Sequence, residues 1–118
     1  MDQNMTPMEK RVELSLLYDF YGELLKENQK QIFEDYALND YSLTEIADEH
    51  GVSRQGIHDT VKRCTRQLED YEEKLHLIAR FQQAGEIVQQ IQSLTEGEDP
   101  KEALQEIRKL SEHIADLL

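Results

Sequence analysis

The sequence predicts an all-α protein: a helix-turn-helix domain whose long second helix is extended into a C-terminal helical hairpin. Three observations carry that expectation. The chain is rich in Leu, Glu, Gln and Ile, lacks Trp and has only 2 Pro, a mix that suits helices. Helix starts are spelled out as capping residues at Thr6, Ser42 and Asp99. A seam of apolar residues at alternating steps of four and three runs from Ile57 to Ile78.

Each element follows in order. In TPMEKRVELSLLYDFYGELLKE, Thr6 accepts from the amide of Glu9 while Glu9 reaches back, and Pro7 suits the first helical position. Val12, Leu14, Leu17, Tyr18, Tyr21, Leu24 and Leu25 then recur at helical spacing and predict one core-facing stripe. Asn28 is the expected cap of a short second helix, QKQIFEDYALN, with Ile32, Phe33, Tyr36 and Ala37 on one side. In SLTEIADEHG, Ser42 and Glu45 form another capping box, and Gly51 takes the left-handed conformation that ends the helix. Ser53 caps the next helix at once, and so tight a glycine turn sets two helices at a steep angle.

The helix that follows carries Ile57, Val61, Cys64, Leu68, Tyr71, Leu75 and Ile78, a heptad seam that packs on helices of the same chain or on a second subunit. Cys64 lies in the seam and reads as a small buried apolar residue. Apolar positions continue through Phe81, Ile87, Val88, Ile91 and Leu94, with Gly85 as a candidate bend. After the break TEGEDPKE, the start made by Asp99, Pro100 and Glu102 opens a last helix with Ala103, Leu104, Ile107, Leu110, Ile114 and Leu117 on one face. The predicted organisation is a helix-turn-helix domain over 1–68, with the motif at 42–68, and a helical extension over 69–118 that packs on it or forms a homodimer interface.

At 118 residues the chain has room for one principal core. Its apolar runs fall far short of the roughly 20 residues that span a bilayer, and MDQNMTPMEK has no apolar signal core, so no membrane insertion is expected and the protein is placed in the cytoplasm. One cysteine and scattered histidines at 50, 58, 76 and 113 supply no metal-ligand spacing, and neither metal nor cofactor is expected. The many carboxylates are spread as solvated helix faces, with no phosphate loop and no nucleophile beside a base; the chain does not read as an enzyme.

The charge distribution points to one functional surface. The net charge is −12, yet between Ser53 and Leu68 four basic residues face one acidic residue. With Ile57, Val61, Cys64 and Leu68 turned inward, Arg54, Gln55, His58, Asp59, Lys62 and Arg66 are turned outward. In a helix-turn-helix the start of this helix meets base edges and later cations reach phosphates, which makes Arg54, Gln55 and His58 the candidate base readers and Lys62, Arg63 and Arg66 the phosphate contacts. So few cations among acidic helices imply weak, salt-sensitive binding. Gly56 stands where a side chain would help hold the groove.

SLTEIADEHGVSRQGIHDTVKRCTRQLE is similar to the promoter-reading helix-turn-helix of sigma factors in Ile46-Ala47, in the turn Gly51-Val52-Ser53-Arg54-Gln55, and in Ile57 with the basic run to Leu68. Gly56 and Asp59 depart from it, standing where longer polar or basic side chains are usual. Over roughly residues 8–95, and most specifically in LYDFYG and EDYALNDYSL, the chain resembles the YlxM family of small bacterial sigma-like helix-turn-helix proteins. The resemblance implies an all-helical regulatory protein of Gram-positive-type bacteria, encoded beside signal recognition particle components. It further implies contact with DNA, with the particle's small RNA or with its GTPase. Two other readings stay open: a dimeric, sequence-specific DNA-binding transcriptional regulator, and a protein-protein interaction module that keeps the motif as scaffold.

Overall fold

The computed structural model describes residues 5–97 and 99–118; the first four residues of the N-terminal stretch, and Glu98 in the TEGEDPKE break, lie outside them. The described residues form six α-helices and no strand, in two compact units divided between Leu75 and His76.

The first unit contains α1 (Pro7–Tyr21), a 3-10 turn (Gly22–Leu24), α2 (Glu27–Ala37), α3 (Leu43–His50) and α4 (Arg54–Leu75). The expected caps are present: Thr6 Oγ1 accepts from the Glu9 amide at 3.1 Å, Ser42 Oγ from that of Glu45 at 3.1 Å, and both glutamates reciprocate. Asn28 is not a cap. Because Leu25 and Lys26 leave the 3-10 turn extended, α2 starts one residue before Asn28, and Lys26 at its N-cap makes no side-chain bond there.

The 3-10 turn also changes which leucine is buried. Its tighter winding rotates the chain after Tyr21, so Leu25 joins Leu14, Leu17 and Tyr21 in the core while Leu24 is 53% exposed. Val12, the other outlier of the expected stripe, is exposed as well. Gly22 has helical dihedrals and is required for space, since a Cβ there would lie 2.7 Å from Cδ1 and Cε1 of Tyr18. That ring stacks on Phe33 at 5.8 Å, and its hydroxyl donates to Glu34 Oε2 at 2.8 Å, tying α1 to α2. The Tyr21 hydroxyl, donating to Glu72 Oε1 at 2.6 Å, ties α1 to α4.

The turn between α3 and α4 is built as expected. Gly51 adopts φ 66°, and the amides of Gly51 and Val52 both close on the Ala47 carbonyl, satisfying the end of α3. Ser53 then starts α4, its Oγ accepting from the Gly56 amide at 3.0 Å. Ile46 and Ala47 of α3 pack with Ile57 and Val61 of α4 and Ile32 of α2, flanked by Tyr36 and Leu43.

The seam on α4 is shorter than the heptad pattern suggests. Ile57, Val61, Cys64 and Leu68 are buried within this unit, where α4 packs on α1, α2 and α3, so this stretch of the seam is covered inside the chain. Beyond it Tyr71 is half-buried and Leu75 is exposed. Ile78 is not on α4, because His76, at φ 57°, ends the helix in the left-handed region. Helix α4 thus runs through the 68/69 boundary expected from sequence and stops at Leu75.

The second unit is the helical hairpin of α5 (Leu77–Thr95) and α6 (Pro100–Leu117). Asp99 caps α6 by accepting from the amides of Lys101 and Glu102. Helix α5 is continuous through Gly85, as the roughly 1 kcal/mol cost of a helical glycine allows. Ile78 and Ile87 are the buried residues of α5. On α6 none is fully buried: Ile107, Leu110, Ile114 and Leu117 are half-buried and Leu104 is exposed. Among the described residues no helix is long and apolar enough to cross a membrane.

Candidate nucleic-acid interface

Helix α4 is positioned by its buried side. With Ile57, Val61, Cys64 and Leu68 inside, helical geometry leaves Arg54, Gln55, His58, Asp59, Lys62, Arg63 and Arg66 exposed. Among the described residues, the side chains of Arg54, Lys62, Arg63 and Arg66 have no carboxylate within ion-pair distance. Elsewhere Lys10 pairs with Glu13, Arg11 with Asp40, Lys30 with Glu23 and Arg108 with Glu112. Helix α4 therefore presents cations that no carboxylate among the described residues neutralises.

The structure sorts the candidate residues into groups. Lys62, Arg63 and Arg66 line a groove of about 880 Å³ together with Asp59, Gly56, and Asn28 at the start of α2. A smaller groove of about 350 Å³ on the other side of α4 holds His58 and Lys10, and Lys62 and Arg66 border it too. Lys62 and Arg66, one turn apart, thus form a ridge between the two. Arg54 and Gln55 line neither groove. Sequence did not place Asn28, His50 or Lys10 in the candidate interface; no local pattern could have, because only the packing of α1, α2 and α3 around α4 brings them there.

The N-terminal turn of α4 is internally engaged. Asp59 Oδ1 accepts from Gln55 Nε2 at 3.0 Å, and His58 Nδ1 lies 3.6 Å from the same oxygen. Two of the three candidate base readers are drawn toward one carboxylate. The missing side chain of Gly56 serves the cap, since a Cβ would sit 3.2 Å from Ser53 Oγ, the atom that accepts the Gly56 amide. Thr60 and Arg63 continue the row, with Arg63 Nη2 3.4 Å from Thr60 Oγ1. Helix α3 is acidic on its exposed side, where Glu45 is bound to the Ser42 amide and Asp48 and Glu49 face solvent.

Cys64 is no part of this surface. It is 1% exposed, and burial pushes its thiol pKa up against a smaller opposing pull from Arg63, so it stays a neutral packing residue.

The surface belongs to a sequence type with relatives. Residues 8–110 match the model of the UPF0122 family, described as "Putative helix-turn-helix protein, YlxM / p13 like". The match runs well into α6. UPF0122 protein YlxM of Bacillus subtilis is 41% identical over 97 residues, covering 82% of this chain and 88% of that protein. UPF0122 protein BH2485 of Halalkalibacterium halodurans is 42% identical over 97 residues, covering 82% and 89%. UPF0122 protein Teth514_1714 of a Thermoanaerobacter species is 47% identical over 105 residues, covering 86% and 87%. With the turn, the caps and the length of the match agreeing, the chain belongs to the UPF0122 family of YlxM/p13-like helix-turn-helix proteins.

Proposed function

We propose that this protein is a non-enzymatic cytoplasmic regulator of the signal recognition particle pathway, whose helix-turn-helix contacts nucleic acid through Lys62, Arg63 and Arg66. The observation that carries the nucleic-acid half is the cluster of unpaired cations on one groove of an otherwise acidic unit. What supports the pathway half is the resemblance of LYDFYG and EDYALNDYSL to the YlxM family. DNA and the particle's small RNA are both candidate ligands. An acidic body with one basic stretch, Ser53 to Leu68, also suits docking on a ribonucleoprotein, where protein contacts such as those with the particle's GTPase add affinity that so few phosphate contacts do not supply.

The test is fluorescence anisotropy of the full chain with labelled duplex DNA and with the particle's small RNA. Three phosphate contacts imply an affinity loss of about 40-fold between 50 and 200 mM salt. Wild-type binding at low salt is expected to disappear when Arg54, Lys62, Arg63 and Arg66 are all made Ala. Absence of binding at low salt, where electrostatic attraction is strongest, would leave the motif as a scaffold for protein contacts.

A further inference from the structure

A helix-turn-helix that reads sequence uses the start of its second helix on base edges and lays its first helix across the backbone. Both elements are opposed here. At the start of α4, Asp59 accepts from Gln55 at 3.0 Å and lies 3.6 Å from His58, placing a carboxylate on the base-reading turn and drawing in two of the three side chains that would read. On α3, exposed Asp48 and Glu49 put negative charge on the helix that would lie against phosphates. The clustered cations begin a turn later, at Lys62, and face the groove beside α2.

We infer, resting on the nucleic-acid reading above, that this site selects a sugar-phosphate backbone rather than a base sequence, and that Asp59 is the residue that suppresses base readout. The ligand class is a phosphodiester strand, of RNA or of DNA. It is held along Lys62, Arg63 and Arg66 beside Asn28. The row from Lys62 to Arg66 rises about 6 Å, comparable to the axial rise of about two base steps of a duplex at 3.4 Å each. A contact this short follows a strand without requiring the regular major groove that a recognition helix fills.

The experiment measures anisotropy at low salt for the full chain against four probes: two 20-base-pair DNA duplexes of unrelated sequence, a single-stranded RNA and an RNA hairpin. Affinities for the two duplexes are expected to agree within about threefold, where a sequence reader separates its site from others by about a thousandfold or more. The log-log salt slope is expected near −2 for the single strand and nearer −3 for duplex, from about three phosphates; the RNA and DNA arms show which strand is preferred. Combined Lys62→Ala, Arg63→Ala and Arg66→Ala should lower all four affinities at least tenfold, while Gln55→Ala leaves them within about twofold. Asp59→Ala should tighten all four severalfold by removing a charge from the face. A duplex screened from a random pool that binds a hundredfold tighter than the rest, with the preference lost in Gln55→Ala, would overturn this inference and leave nucleic-acid binding intact. Weaker binding by Asp59→Ala with helicity unchanged would also overturn it. No binding to any probe would overturn the nucleic-acid reading itself, and tighter binding of polyglutamate than of every probe would assign the groove to an acidic peptide.

Discussion

Replacing Gly22 with alanine should destabilise the first unit, even though the backbone there is helical and alanine is the better helix former. The added Cβ would lie 2.7 Å from two ring carbons of Tyr18 and 3.1 Å from Cγ, whereas carbon contacts are optimal at about 3.5–4.0 Å. The ring must retreat by about 1 Å. Stacked on Phe33 at 5.8 Å and holding Glu34 at 2.8 Å, it has little room to do so without losing that hydrogen bond. Overpacking costs about 1–3 kcal/mol and the half-buried bond to a carboxylate about 1.5 kcal/mol, against a gain of about 0.4–1 kcal/mol from restricting the unfolded chain. The net is about 2 kcal/mol, or about 10 °C in Tm for a unit of this size. All 5 tyrosines precede His76 and the chain has no Trp, so tyrosine near-UV circular dichroism in a urea or thermal series reports this unit alone. The clash explanation also requires that Gly22→Ala become neutral or stabilising in a Tyr18→Ala background. A parent-like midpoint for Gly22→Ala, or a penalty that persists without the Tyr18 ring, would refute it.

Three other outcomes are expected. Ser53→Ala removes the acceptor for the Gly56 amide and should cost about 1 kcal/mol, read as a lower urea midpoint with faster hydrogen exchange at that amide; an unchanged exchange rate would count against the cap. Burial and the bond to Glu34 push the Tyr18 phenol above its ordinary value, with Glu34, Glu23 and Glu27 adding negative potential. Since the folded state prefers the neutral phenol, that contribution is present below pH about 10 and is lost as pH rises further, so stability should fall more steeply above pH about 10 in wild type than in Tyr18→Phe. Cys64, 1% exposed and with its thiol pKa raised by burial, should react with a thiol-specific chromogenic disulfide only as the protein unfolds; stoichiometric reaction of native protein would contradict its packing.

Much of the fold was legible because it is written in contacts only a few residues long. The boxes at Thr6 and Ser42, the left-handed Gly51 and the cap at Ser53 each involve neighbours within one helical turn, and all stand as expected. The buried face of α4 was legible for the same reason: steps of four and three from Ile57 to Leu68 describe one side of a helix whatever it packs on. Periodicity misled where a helix ended without a glycine or proline to announce it. Leu75 and Ile78 fit the heptad, yet His76 turns left-handed between them, and Gly85, the residue with the stronger breaking signal, stays helical. The exposure of Leu24 and the start of α2 before Asn28 have one origin, the 3-10 turn that begins at Gly22, the residue whose missing Cβ leaves room for a ring four residues earlier.

By itself, then, the sequence determined which segments are helical, where the tight turn lies and which side of α4 faces solvent, because capping and helical periodicity are local physics. It also determined that the stretch from Ser53 to Leu68 is locally basic in an acidic chain. Only the tertiary structure decided that the seam from Ile57 to Leu68 is covered by α1, α2 and α3, because burial depends on which helices meet. It likewise decided that Lys62, Arg63 and Arg66 share a groove with Asn28 from another helix, and it set the conformations in which Asp59 engages Gln55 and His58. Charge is a property of residues, but whether a cation is free to meet a ligand depends on what the fold has placed beside it.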